Sequence, residues 1–94
     1  MFEITSDLKQ YVTNAHSHHG GSRIEMQFPN GFGVSIVRFP GSYGYDDGLL
    51  ELAVIDSDGH LHYDNPVADG DVRGYLTPEE ALVLVEEVRN FPAK

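Results

Sequence analysis

The stretch RIEMQFPNGFGVSIVRF, Arg23 to Phe39, decides the fold. Ile24, Met26 and Phe28 alternate with Arg23, Glu25 and Gln27, the two-residue period of a strand with one buried face. Pro29-Asn30-Gly31 interrupts that alternation, and Asn-Gly favours a hairpin because both residues tolerate positive φ. GVSIVRF then reads as the return strand, with Val34 and Ile36 on one face and Ser35 and Val37 on the other.

Toward the C-terminus, LLELAVI (49–55) is the most apolar run and is expected at the centre of the sheet. Asp56-Ser57-Asp58-Gly59 reads as a turn, with Gly59 in the left-handed position. HLHYD (60–64) is expected as a fourth strand, and Asn65 to Asp71 as a loop. Thr77-Pro78-Glu79-Glu80 carries the signature of a capping box with proline in the first helical turn. Ala81, Leu84, Val85 and Val88 form the buried stripe of the helix it opens, with Leu82 beside them and Phe91-Pro92 as the stop. Toward the N-terminus, Leu8, Tyr11, Val12 and Ala15 recur at helical spacing. Ser6 or Thr5 as cap and Gly20-Gly21 as stop predict a first helix over Ser6 to His18. The sum is an α+β single domain over residues 1–94, ordered α-β-β-β-β-α, with about four antiparallel strands and a helix at each end.

Composition narrows the functional classes. Ninety-four residues, 40% of them hydrophobic, suffice for one modest core. The absence of cysteine excludes disulfides and thiolate metal sites. No apolar run approaches the roughly 20 residues of a membrane span, and MFEITSDLK lacks the basic and apolar regions of a leader. A soluble protein of the cytoplasm is expected. Six Lys and Arg stand against fifteen Asp and Glu, for a net charge of -9. No Lys or Arg occurs from Phe39 to Val72, whereas Asp46, Asp47, Glu51, Asp56, Asp58, Asp64, Asp69 and Asp71 do. Such a field repels phosphate and attracts a basic protein surface; its simplest role is to keep a small protein soluble.

GSYGYDDG (41–48) invites a ligand site. It lacks the Lys of a P-loop, is followed by a strand rather than a helix, and sets two aspartates where phosphate would lie. It reads first as a hairpin loop in which Gly41, Gly44 and Gly48 permit positive φ, and second as a contact surface with Tyr43 and Tyr45 exposed among carboxylates. DSDGHLHYD fails as a calcium loop, because its glycine is fourth and Val67 stands where the bidentate Glu belongs. His60 and His62 share a strand face, and His16 and His19 a helix face, without a carboxylate at fixed spacing. No GxSxG occurs, and Ser35 falls inside a strand rather than on an elbow. On the second helix Val83 lies on the side of Glu79, Glu80, Glu86 and Glu87, an apolar spot rimmed by charge. No cofactor, metal or enzymatic activity is expected.

Taken in order, NGFGVSIVR, GSYG, LELAVID, DGHLHYDNPV and DVRGYLTPEEA resemble a family of small proteins encoded by bacteriophages and prophages. The resemblance runs from about Phe28 through the last helix and leaves the first outside. The family has no established catalytic residues, so none is carried over. It implies a bacterial host and a class of small acidic proteins that disable host machinery, among them anti-CRISPR proteins and DNA mimics. The resulting expectation is a non-enzymatic module binding a basic, nucleic-acid-handling host complex. Its interface residues are Tyr43, Tyr45, Asp46, Asp47, Asp56, Asp58, Asp69 and Asp71, with no direct nucleic-acid or membrane contact. The alternative is a structural phage accessory protein, self-associating as a homodimer through the edge chemistry of RIEMQF or through the last helix.

Overall fold

Met26 pairs with Val34, and Val34 with Val54; one row along, Ile24 pairs with Ile36, and Ile36 with Leu52. These six side chains floor the core, all fully shielded except Ile24 at 8% exposure. The computed structural model describes residues 6–18, 20–42, 44–60 and 72–92. Their elements are α1 (Ser6–Lys9), β1 (Val12–His18), β2 (Gly21–Gln27), β3 (Phe32–Arg38), a short 3₁₀ turn (Tyr45–Asp47), β4 (Leu50–Asp56), β5 (Arg73–Leu76) and α2 (Pro78–Arg89). The strands make one antiparallel sheet in the order β1-β2-β3-β4-β5. The α+β class is as expected, with five strands where about four were read.

The hairpin that opened the sequence is β2 and β3, and its alternation is real: Ile24, Met26, Phe28, Val34 and Ile36 are all buried. Its turn differs from expectation. Gly31 takes φ 88°, but Asn30 does not enter the left-handed region. Asn30 works through its side chain instead: Oδ1 accepts from Phe32 N at 3.0 Å, and Nδ2 donates to the carbonyls of Val88, Arg89 and Phe91 at 2.9, 3.2 and 3.1 Å. Those carbonyls lie at the end of α2 and just beyond it, where the last turn has no intrahelical donors. One side chain thus closes the hairpin and caps the helix packed on it.

α2 begins as its sequence predicts. Thr77 Oγ1 accepts from Glu80 N at 3.1 Å, and Glu80 Oε1 accepts from Thr77 N at 3.0 Å. Ala81, Leu84, Val85 and Val88 face the sheet and join the floor residues in one cluster, with Leu82 and Phe91 partly buried against it. Phe91 meets Phe32 edge to face at 5.4 Å.

The N-terminal helix is much shorter than expected. α1 is one turn, and Val12 to His18 is an edge strand paired with β2. Ala15, assigned to the buried stripe, is exposed. Thr13, Asn14 and Ser17 are weak helix formers, and an open strand edge on β2 offers the segment a full hydrogen-bond ladder. Only Leu8 and the half-buried Tyr11 and Val12 keep the expected inward role. Gly20-Gly21 turns a hairpin rather than ending a helix: His18 pairs with Gly21, and a Cβ at Gly21 would fall 1.9 Å from the Arg38 carbonyl. α1 is tied to α2 by Asp7, whose carboxylate accepts from Arg89 Nη1 at 2.5 Å. Arg89 also covers the Tyr11 ring at 5.0 Å, and its hydrogen bond to Asp7 holds the guanidinium above its usual pKa.

β4 is interior, bonded to β3 and β5, while β3 holds the middle place. β2 is interior as well, so RIEMQF is not an edge; β1 is. The DSDG turn forms as read, with Gly59 at φ 83° and donating to Asp56 O at 3.0 Å. The expected strand HLHYD lies, apart from His60, outside the described residues, as does the loop after it. The last strand is Arg73–Leu76, a segment without a strand signal, paired through Leu50–Leu76 and Leu52–Arg73.

Candidate protein-interaction surface

GSYGYDDG joins β3 to β4 and is built almost entirely on its own backbone. Ser42, 8% exposed, donates through Oγ to Phe39 O at 2.8 Å and accepts from Phe39 N at 3.1 Å. Tyr45 N donates to Ser42 O, Asp47 N and Leu49 N donate to Gly44 O, and Gly48 N donates to Tyr45 O, all between 2.9 and 3.1 Å. Gly41, Gly44 and Gly48 all take positive φ, as the sequence predicts. These local bonds hold the shape of the described part of the loop and make it a platform.

Gly44 is the position where glycine is required twice over. Its φ is 86°, and an added Cβ would lie 2.8 Å from Leu49 Cβ and 3.1 Å from Tyr75 Cα. The close approach brings β5 against the loop and sets Tyr75 beside it. Tyr75 has φ 58° and is the one described non-glycine residue in the left-handed region. It is 61% exposed, and with Val83 at 60% it is one of two large hydrophobic residues that the described surface presents. A bulky residue at positive φ is a backbone outlier costing roughly 1–3 kcal/mol, retained where the surroundings fix it. Two residues beyond Tyr75, Thr77 starts α2 and its acidic first turn, Glu79 and Glu80.

Tyr45 does not have the exposed role expected of it. It is half-buried, with the Arg38 guanidinium 4.5 Å above its ring and Arg38 Nη2 donating to its carbonyl at 3.2 Å. The run without positive charge in sequence is thus met in space by a cation from the strand before it. Asp46 and Asp47 are exposed beside Tyr45. Tyr43, Asp69 and Asp71 lie outside the described residues.

Asp56 and Asp58 sit at the other end of β4. β4, seven residues long and ending at Asp56, leads to them from the 3₁₀ turn, a span of about 20 Å. The four described ones, Asp46, Asp47, Asp56 and Asp58, therefore fall into two groups rather than one continuous patch. Asp56 Oδ1 accepts from Asp58 N at 2.9 Å and His60 N at 3.1 Å, an arrangement that shapes the turn. Asp56, Asp58 and His60 bring one ligand atom each within 4.8 Å of the others. This is a different set from the expected His60 and His62, the latter being outside the described residues. The backbone bonds of Asp56 account for its placement without an ion.

Val83 lies, as read, on an outward face of α2 with Glu79, Glu80, Glu86 and Glu87 exposed around it. The backbone N–H of Thr77 and its hydroxyl keep the Glu80 carboxyl below the usual carboxylate range. Ser35 lies in mid-strand, 6% exposed. No described helix is long and apolar enough to cross a membrane.

Tyr75 was missed because RGYL, between the expected loop and the helix cap, has no strand signal; its one sequence signal is Gly74 beside an aromatic just before a helix cap. Comparison with family models, curated proteins and solved structures found no match for the chain.

Proposed function

We propose that the protein is a non-enzymatic binding module whose contact surface is centred on Tyr75, with Asp46 and Asp47 on the adjoining loop and the acidic first turn of α2 beside it. The observation that carries this reading is Tyr75 itself, 61% exposed at φ 58° against Gly44. A strained, exposed tyrosine on a fixed platform suits an interface anchor, since Tyr orders a large amphipathic area at low entropy cost. The carboxylates and the net charge of -9 favour a basic partner and oppose nucleic acid. A basic surface of the kind that nucleic-acid-handling host complexes present is the partner class, and its occlusion is the inhibitory function. The resemblance to phage-encoded proteins supports the same class.

The test is capture from bacterial lysate at low and high salt, identified by mass spectrometry, with wild type, Tyr75→Ala and Asp46→Lys/Asp47→Lys. The expected result is a basic nucleic-acid-handling complex released by salt and lost with either variant. Recovery indifferent to both variants contradicts the proposal.

A second reading, self-association as a structural module, has one observation in its favour. β1 is an outer strand, and VTNAHSH is the one described strand without Asp, Glu, Lys or Arg; uncharged edges template pairing with another chain. Ala15→Lys would then convert a concentration-dependent dimer to monomer in sedimentation. A wild type that stays monomeric at high concentration removes this reading.

A further inference from the structure

The face of the sheet turned away from α2 carries a cleft of about 270 Å³, lined by Arg23, Ser35, Val37, Phe39, Glu51, Ala53 and Val72. Its placement follows from strand alternation. Ile24, Val34, Ile36, Leu50 and Leu52 point to the core, so their neighbours Arg23, Ser35, Val37, Glu51 and Ala53 point the other way. The pairings Arg23–Val37–Glu51 and Ser35–Ala53 set two adjacent cross-strand rows under it. Val37 and Ala53 make an apolar floor.

Two hydrogen-bond donors line this cleft, the Arg23 guanidinium, on a side chain 30% exposed, and the Ser35 hydroxyl. Arg23 Nε is buried and has no hydrogen-bond partner; the nearest carboxylate oxygen, Glu25 Oε1, is 3.4 Å away, beyond the usual N–H···O range. Ser35 is 6% exposed, and no hydrogen bond of its hydroxyl is found among the described residues. A buried donor without an acceptor, as Arg23 Nε is, is rare and costly. Charge restricts what can supply the acceptor. Arg23 is accompanied by Glu25 and Glu51, so the local balance opposes a carboxylate or phosphate, and Arg23 opposes a cation. The volume lies just under the roughly 300–1,000 Å³ of drug-sized sites.

We infer that this cleft binds a small, neutral, largely apolar molecule bearing a carbonyl or amide oxygen, which accepts from Ser35 and Arg23 while its body lies on Val37 and Ala53. The site is independent of the acidic interface: it uses the opposite side of the sheet from α2 and none of the interface residues.

Three isosteric probes separate the alternatives: benzamide, benzoate and benzamidine share a ring and differ in the charge of the head group. Each is titrated into the full chain, isotope-labelled, and followed by amide NMR. Benzamide is expected to shift Ser35, Val37 and Ala53 in a saturable way, with benzoate and benzamidine about tenfold weaker, the value of roughly one hydrogen bond. Ser35→Ala should weaken benzamide by a similar factor. Ala53→Leu, which fills the floor, should abolish its binding while leaving the shifts of α2 in place. Absence of saturable shifts in these residues, equal or tighter binding of either charged probe, or undiminished binding by Ser35→Ala in a folded variant overturns the proposal.

Discussion

Tyr75 lies against Gly44, so closely that a Cβ on the glycine would meet its Cα at 3.1 Å and its ring at 3.2 Å. The contact fastens the loop between β3 and β4 to β5, two segments 31 positions apart in the chain. Each partner occupies the left-handed region, glycine at no cost and tyrosine with strain. Gly48 offers a control, since it too has positive φ, 74°, but nothing within 4 Å of its missing Cβ. Gly48→Ala should therefore lose only the conformational cost, about 1 kcal/mol. Gly44→Ala should lose about 1–3 kcal/mol more, the cost of overpacking. Urea denaturation of the two variants measures the difference; equal losses would mean that the loop does not rest on β5.

Asn30 is the second long-range fastening. Removing it takes a side-chain partner from the Phe32 N–H and from three carbonyls at and just beyond the end of α2, of which Val88 O keeps the Phe91 N–H. Asn30→Ala is expected to cost about 2 kcal/mol. Asn30→Asp keeps the acceptor for Phe32 but puts a negative charge at the negative end of a helix, and should cost at least as much. An Asp variant as stable as wild type would show that the turn, and not the helix cap, is what Asn30 serves.

The capping box makes a pH prediction. Glu80 is acidified in the folded protein by Thr77, so its contribution to stability is present above the unfolded carboxylate range and is lost as pH falls through its folded pKa. Glu80→Gln should lower stability near neutrality and change it little in acid, so that the acid side of the stability curve is flatter. Thr77→Ala should cost about 1 kcal/mol at neutral pH. Chemical denaturation from neutral to acid pH checks both; an unchanged acid limb in Glu80→Gln would contradict the assignment.

Burial predicts a sharp contrast between two β-branched aliphatic positions. Ile36 is fully shielded between β2 and β4, and Val83 is 60% exposed. Ile36→Ala should cost about 2–5 kcal/mol, whereas Val83→Ala should stay within about 0.5 kcal/mol. A costly Val83→Ala would place that side chain in contacts that the fold does not give it.

Much of this architecture was legible from local pattern. RIEMQF and GVSIVRF have one period and one turn, and a single face to bury, so their pairing follows. Thr77 to Glu80 fixes the start of α2 because both halves of the box lie within four residues. The first helix misled because Leu8, Tyr11, Val12 and Ala15 fit a helical stripe, while what decided the segment was the free edge of β2, which no local spacing records. β5 was invisible for the same reason: RGYL has neither alternation nor length, and is a strand because Leu50 and Leu52 have an open side. At the candidate surface, the loop glycines and Asp46 and Asp47 were found from composition. Tyr75 was not, because its exposure and its backbone conformation come from the approach of Gly44. Nor did the sequence reveal that Arg38 covers Tyr45, since the charge-free run begins one residue later.

The central claim is that Tyr75 is kept in a strained, exposed state for contact with a partner. Tyr75→Asn tests it most directly, because Asn tolerates the left-handed region and retains a polar side chain. Urea stability and capture of a basic partner are measured on the same preparation, beside wild type. The account predicts unchanged or higher stability, by up to about 1 kcal/mol, together with loss of capture. A variant that is clearly destabilised yet still captures the partner would make Tyr75 a structural residue and contradict the account.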